Sequence, residues 1–416
     1  MSALDLPEPW ACRSCGTALV RTFVDLGSSP PCEAFLTPAQ LVQPETAYPL
    51  RVYTCSSCLL VQLPAHVDAR DVFDDYAYFS SFSDSWVEHA RVFVDAAVAR
   101  LGLGPDSLVV EVASNDGYLL QHVLAAGVRA LGVEAADNVA QAARDRGVPT
   151  VTCYLDAASG ERLASEHGRA DLVVGNNVLA HVPDLRGFVA GLRALVSDAG
   201  SVSLEFPHLL RLVEQRQYDT IYHEHYSYFS LRTAGAALAQ GGLTVVDVEE
   251  LPTHGGSLRV WARPTEAADE PGPRVARVLD EEAAAGLHTL DGHDGFEPAV
   301  FDVKQGLLRF LLDARRDGRT VAGYGAPGKG NTLLNHCGVR ADLLPYTVDR
   351  NPYKHGRFLP GSHIPVLPPE ELARRRPDYV LLLPWNLREE LDHQLRYVRE
   401  WGGRLVVPVP RLEVLP

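Results

Sequence analysis

Lysine occurs three times in 416 residues, at Lys304, Lys329 and Lys354, and methionine once. No apolar run approaches the roughly 20 residues of a membrane-spanning helix. The start, MSALDLPEPW, has neither a basic nor an apolar signal region. These absences point to a cytoplasmic protein with no membrane partner. Positive charge is scarce overall, with a net charge of −15, which excludes a broad nucleic-acid face because phosphate contact needs a surplus of cations. Seven cysteines in a cytoplasmic chain do not read as a disulfide framework, so their spacing carries the information.

That spacing is specific. Cys12 and Cys15 form one C-x-x-C knuckle, and Cys55 and Cys58 form a second. Two knuckles supply four soft thiolates for a closed tetrahedral Zn²⁺ site, which leaves no open position for chemistry and is therefore structural. Cys32 reads as a bystander, and Cys153 and Cys337 as core residues.

At this length the chain holds two or three domains. Ser85 with Glu88 reads as a capping box that opens a helix running to about Leu101. SLVVEVASNDGYLL then gives an apolar strand, a tight polar turn and a helix from about Gly117. A second strand ends at the acid Glu134. A later strand, DLVVGNN, ends at Asn176 and Asn177, with His181 just beyond. This is the pattern of a doubly wound α/β sheet. EVASNDG has only the last glycine of a dinucleotide fingerprint. An acid ending the first strand beside a small polar turn suits S-adenosylmethionine, whose amino group needs an acceptor.

After a polar, proline-containing stretch, Pro264 to Arg274, helical patterning runs to about Arg316. Gly323, Gly325 and Gly328 then spell a full G-x-G-x-x-G after a strand, and Asp349 ends the next one. Read alone, that motif suggests an NAD-dependent dehydrogenase. Pro327 stands where the pyrophosphate helix should begin, and Lys329, Asn331 and Thr332 crowd the turn, a set that suits the diphosphate of any nucleotide. Trp385 and Asn386 follow a later strand.

The segment IYHEHYSYFS, Ile221 to Ser230, admits three readings. A metal clasp lacks a third ligand, and the H-E-x-x-H pattern fails at Ser227. A packed strand would put His223 and His225 on one face. Proton transfer fits best, because histidine titrates near neutral pH and a phenol can donate to a developing oxyanion.

EVASNDGYLL, GVEAADNVA, NNVLAHV and IYHEHYSYFS, in this order behind paired knuckles, resemble the sugar C-methyltransferase family, most closely its members that act at carbon 3 in nitrosugar pathways. The resemblance covers essentially the whole chain. It implies an α/β fold in three parts: a zinc-binding domain over 1–75, an S-adenosylmethionine-binding Rossmann-like domain over 76–265, and a smaller Rossmann-like nucleotide-sugar domain over 266–416. It also implies a monomer acting on a TDP-linked 4-keto-deoxysugar. Glu111, Ala113, Ser114, Asn115 and Gly117 would line the methionine end of the cofactor, Glu134 its ribose, and Asn176 and Asn177 the transferring methyl. His225 would be the base, with Tyr222, Glu224, Tyr76 and His181 around it. Tyr324, Pro327, Lys329, Asn331, Thr332 and Asp349 would hold the nucleotide. A non-catalytic nucleotide-sugar-binding protein is the remaining alternative.

Overall fold

The computed structural model describes residues 10–67 and 79–416; Tyr76 lies outside them. The chain forms two compact units, each assembled from three separate segments. Met1–Val20, Cys55–His208 and Tyr226–Thr289 make the first, and Arg21–Thr54, Leu209–His225 and Leu290–Pro416 the second. Strands β1 (Arg21–Ser29) and β2 (Tyr48–Thr54), both in the second unit, pair antiparallel.

The first unit is built on a seven-stranded sheet. In chain order its strands are β4 (Leu108–Val112), β5 (Arg129–Glu134), β6 (Thr150–Thr152), β7 (Ala170–Asn176), β8 (Val196–Pro207), β10 (Leu243–Leu251) and β11 (Ser257–Pro264). Their spatial order is β10-β11-β8-β7-β4-β5-β6. The five strands from β6 to β8 run parallel, and β10 and β11 close one edge antiparallel. β4 is buried along its whole length, which is why LVVEV reads as a continuous run rather than an alternation. The chain reverses direction across the sheet between β4 and β7, so ligands are expected at the carboxyl ends of those two strands. A short antiparallel pair joins β3 (Val61–Gln62), which follows the second cysteine knuckle in sequence, to β9 (Ser227–Tyr228).

The second unit carries its own parallel sheet. It comprises β12 (Val321–Tyr324), β13 (Thr347–Val348), β14 (Val366–Leu367), β15 (Tyr379–Leu382), β16 (Arg404–Val407) and the antiparallel β17 (Glu413–Val414), in the order β14-β13-β12-β15-β16-β17. Among the described residues no helix is long and apolar enough to cross a membrane.

Several local expectations shift. The helix expected from Gly117 begins at Leu120, because Gly117 sits at φ +80°, outside helical space. The cap of the Asp84–Leu101 helix is Ser83, whose Oγ accepts from the Trp86 amide at 3.3 Å, and not Ser85. Glu88 instead pairs with Arg91 on the solvent face. The segment Pro264 to Arg274 is fastened within the first unit, with the Thr265 amide donating to the Gly242 carbonyl and that of Gly272 to Val246. Cys153 is half-buried rather than a core residue, whereas Cys337 is buried. His223 and Glu224 form a turn, closed by the His225 amide on the Tyr222 carbonyl at 2.9 Å, and strand geometry begins only at Ser227.

Candidate active site

The four knuckle cysteines bring their sulfur atoms within 4.8 Å of one another. Cys12 and Cys58 are 3.6 Å apart and Cys15 and Cys55 3.4 Å. Four sulfurs at about 2.3 Å from one zinc ion would stand roughly 3.8 Å apart, so the set fits a closed Zn²⁺ site. The knuckles share a backbone device: the residue four after the first cysteine donates back to its carbonyl, Gly16 at 2.8 Å and Leu59 at 3.0 Å, each at positive φ. Gln62 donates to Cys12 Sγ at 3.0 Å and accepts from the Arg13 amide at 2.9 Å, an outer bond that orients a ligand.

The carboxyl ends of β4, β5 and β7 gather Glu111, Ala113, Ser114, Asn115, Gly117, Glu134, Asn176 and Asn177, as the sequence suggested. Four of them are left-handed: Ala113, Asn115 and Gly117 in the turn after β4, at φ +55°, +49° and +80°, and Asn177 after β7, at φ +54°. A Cβ on Gly117 would come to 2.8 Å from Val148, and one on Gly132 to 2.5 Å from Ser114 Oγ, so both positions require glycine for the turn to close. Glu134 accepts from the amides of Asn115 and Ala136, each at 2.9 Å. Burial still raises its carboxyl above the usual range, and these amide bonds oppose the rise.

Glu111 differs. Its side chain has no solvent access, and among the described residues neither carboxylate oxygen has a well-placed hydrogen-bond partner. Burial pushes its pKa well above the usual range, the Tyr118 hydroxyl opposes this, and the nearby acids Glu134 and Asp116 add to it. Ser114 Oγ and Asn176 Oδ1 are buried and unmatched too. A carboxylate left in this state is costly. Two acceptor side chains at a switch point suit a ligand that brings an ammonium or sulfonium charge, as S-adenosylmethionine does.

Residues that sequence reading passed over surround this pocket. Trp86, in the first turn of the Asp84–Leu101 helix, stacks on His89 at 4.9 Å and on Tyr118 at 6.1 Å. Glu205 on β8 accepts from Arg259 at 2.6 Å, Thr253 Oγ1 at 2.9 Å and His89 Nε2 at 2.9 Å. Burial works against its ionisation, but the His89 bond and the Arg259 charge hold its carboxyl below the usual range. His181 ends a short 3₁₀ turn after β7, and the preceding carbonyl, of Ala180, accepts from the Tyr226 amide at 2.7 Å.

In the second unit, Tyr222, Glu224 and His225 share one turn. The Tyr222 and His225 rings lie 4.0 Å apart between centroids. His225 Nδ1 stands 2.7 Å from the Thr220 carbonyl, an acceptor only, so Nδ1 bears the proton and Nε2 is the basic nitrogen. Glu224 is buried, with the Cys32 thiol 3.8 Å from its Oε1. Burial, with the Glu33 carboxylate adding to it, pushes Glu224 up to about 7, while the Cys32 contact opposes the shift. Cys32 is thus a buried neighbour of this turn and, as expected, no member of the four-sulfur cluster.

The G-x-G-x-x-G turn is placed after β12 as expected, with Pro327 capping the Gly328–Cys337 helix. Its polar side chains are largely committed to the chain. Thr332 Oγ1 donates to the Ile221 carbonyl at 2.9 Å, and Asn331 Nδ2 to that of Cys32 at 2.6 Å. Asp349 accepts from the amides of Ala326 and Asn351 at 2.6 and 2.7 Å. Lys329 donates to Asn386 at 2.8 Å and lies over the Trp385 ring at 5.2 Å. Burial lowers its pKa, and Asp219, the acceptor of the Trp385 indole, raises it. Tyr324 is buried, and its phenol is pushed up to about 12 by that burial. Asn331, Thr332 and Asp349 therefore brace the turn and the His225 segment through these bonds, while Asn331 Oδ1 is buried without a partner among the described residues.

Comparison with known proteins agrees with this layout. Residues 12–73 match the family model described as "Putative zinc binding domain", residues 86–248 a "Methyltransferase domain" and residues 252–410 a "C-methyltransferase C-terminal domain". The C-methyltransferase NovU of Streptomyces niveus is 39% identical over 97% of this chain and 96% of its own. Among solved structures, the PH0226 protein of Pyrococcus horikoshii OT3 is 13% identical, with a TM-score of 0.38, over 47% of this chain and 97% of that one. The magnesium protoporphyrin IX methyltransferase ChlM of Synechocystis PCC 6803 is 19% identical, with a TM-score of 0.35, over 48% and 99%. With NovU matched along nearly its whole length, the dehydrogenase and non-catalytic alternatives give way. The chain belongs to the C-methyltransferase family, as an S-adenosylmethionine-dependent enzyme with a zinc-binding amino-terminal domain.

Proposed function

We propose that the enzyme methylates carbon 3 of a TDP-linked 4-keto-deoxysugar, a 3-amino-4-keto-2,3,6-trideoxysugar by preference, with His225 as the base. The observation that carries this reading is the His225 bond to the Thr220 carbonyl, which fixes the tautomer with basic Nε2. A sugar C–H is acidic enough to lose its proton only beside a ketone. His225 Nε2 takes the C-3 proton, and the C–H electron pair moves toward the C-4 oxygen, where the Tyr222 phenol donates a hydrogen bond. Glu224, raised to about 7, is partly protonated at neutral pH and meets the C-3 amino group or orients a neighbour. His181 and Tyr76 are second candidates for a role beside the base. When bound, S-adenosylmethionine supplies an electrophilic methyl group. Glu111 receives its ammonium, Glu134 its ribose hydroxyls, and Ala113, Ser114, Asn115 and Gly117 shape the turn around it, with Asn176 and Asn177 at the methyl. Lys329 and Tyr324 serve the nucleotide of the sugar, within a carboxy-terminal domain that we take as 266–416, after zinc-binding and methyltransferase domains over 1–75 and 76–265.

The test is incubation with a TDP-4-keto-deoxysugar in deuterated water, with and without the methyl donor, followed by mass spectrometry. His225→Asn is expected to lose both deuterium uptake at C-3 and methylated product while still binding S-adenosylmethionine. Full turnover in that variant would place the base elsewhere.

A further inference from the structure

His254 lies in the loop between β10 and β11, where His254, Gly255 and Gly256 run at φ +55°, +89° and +118°. Three consecutive residues in left-handed or otherwise positive-φ backbone are unusual, and a histidine among them is strained. The loop is pinned on several sides. Thr253 Oγ1 donates to Glu205 at 2.9 Å, Ser257 Oγ to the Thr253 carbonyl at 3.0 Å, and the His208 amide to the Gly256 carbonyl at 3.0 Å. So held, the His254 ring meets the edge of Trp86 at 5.3 Å and brings Nε2 to 3.0 Å from Asn177 Nδ2. Asn177 is itself left-handed, at φ +54°, its amide N–H donates to the Glu205 carbonyl at 2.7 Å, and its Oδ1 is buried without a partner among the described residues. Two strained non-glycine residues from segments far apart in sequence thus meet through one side-chain bond, at the carboxyl edge where β7 ends.

An asparagine amide has two faces of opposite character, and its orientation is set by what it bonds. With Nε2 as acceptor, His254 takes the Asn177 N–H and leaves Oδ1 for the pocket. We propose that His254 is a positioning residue for the methyl donor: it holds the Asn177 amide so that Oδ1, at the carboxyl end of β7, presents acceptor character to a cationic ligand. This rests on the reading of that edge as the S-adenosylmethionine site. It adds a residue from the THGG loop between β10 and β11.

The test is calorimetric titration of S-adenosylmethionine into the full-length protein and three variants, with melting temperature read in parallel. His254→Phe keeps the ring against Trp86 and removes the bond; it is expected to weaken binding by roughly three- to tenfold, the range of one hydrogen bond, at unchanged melting temperature. His254→Gln, which can still accept from Asn177, is expected to recover most of that loss. In an Asn177→Ala background the phenylalanine substitution is expected to cost nothing further. Variants that bind as tightly as wild type, a loss that persists in the Asn177→Ala background, or a loss that appears only together with a lowered melting temperature would overturn the proposal. Failure of the wild-type protein to bind S-adenosylmethionine at all would instead overturn the reading of the pocket on which the proposal rests.

Discussion

After β4 the chain turns through Ala113, Asn115 and Gly117, all left-handed, and leaves Glu111, Ser114 and Asn176 buried with unmatched oxygen atoms. After β12 it turns through Gly325, at φ +85°, commits Asp349, Thr332 and Lys329 to partners in its own chain, and leaves a single amide oxygen, Asn331 Oδ1, buried and unmatched among those side chains. The second turn has the full glycine fingerprint and the first has one glycine of three. Glycine spacing reports how tightly a backbone can turn; unmet buried acceptors report what the turn was built to receive. By that measure the poorer motif is the better ligand site.

The comparison breaks first at the glycines. Gly117→Ala forces φ +80° on a residue with a Cβ and drives that atom to 2.8 Å from Val148. Gly325→Ala does the same at φ +85°, with Pro384 at 2.6 Å. Each is expected to lose about 3–4 kcal/mol by chemical denaturation, from left-handed strain and overpacking together. Only the Gly117 variant should lose affinity for S-adenosylmethionine; equal losses in both would erase the distinction between the turns.

A smaller effect belongs to Glu224, beside the second turn. Its folded pKa is raised to about 7, whereas an unfolded glutamate titrates near about 4.3. Between those values the folded state binds the extra proton, so its contribution is full in acid and is lost as pH rises through about 7. Stability is expected to fall across that window, and Glu224→Gln should flatten the profile. An unchanged slope in the variant would assign the proton to another group.

Much of the architecture was legible because it is local or periodic. Two C-x-x-C spacings define the zinc ligands without reference to the rest of the chain, and β4 announces itself as LVVEV because a strand covered on both faces needs no polar alternation. The cofactor turn was legible because an acid at a strand end and a small polar turn are contiguous. Contacts between distant segments were not. His254 meets Asn177, and Glu205 meets His89 and Arg259, across separations that no spacing rule encodes. The order in which the chain enters and leaves each unit is likewise set by packing. IYHEHYSYFS misleads in a different way: alternating polar and aromatic residues imitate a strand, while Thr220, Tyr222 and His225 close a turn through main-chain carbonyls.

The most direct test of the account compares S-adenosylmethionine affinity by calorimetry in wild type, Glu111→Gln and Lys329→Met. Glu111→Gln exchanges the buried carboxylate for a neutral amide of the same shape, and it is predicted to weaken binding by about ten- to a hundredfold, the scale of one charge-assisted hydrogen bond. Lys329→Met, in the turn with the complete glycine pattern, is predicted to bind the donor as wild type does. Undiminished affinity in Glu111→Gln, or a comparable loss in Lys329→Met, would contradict the assignment of the methyl donor to the β4 turn.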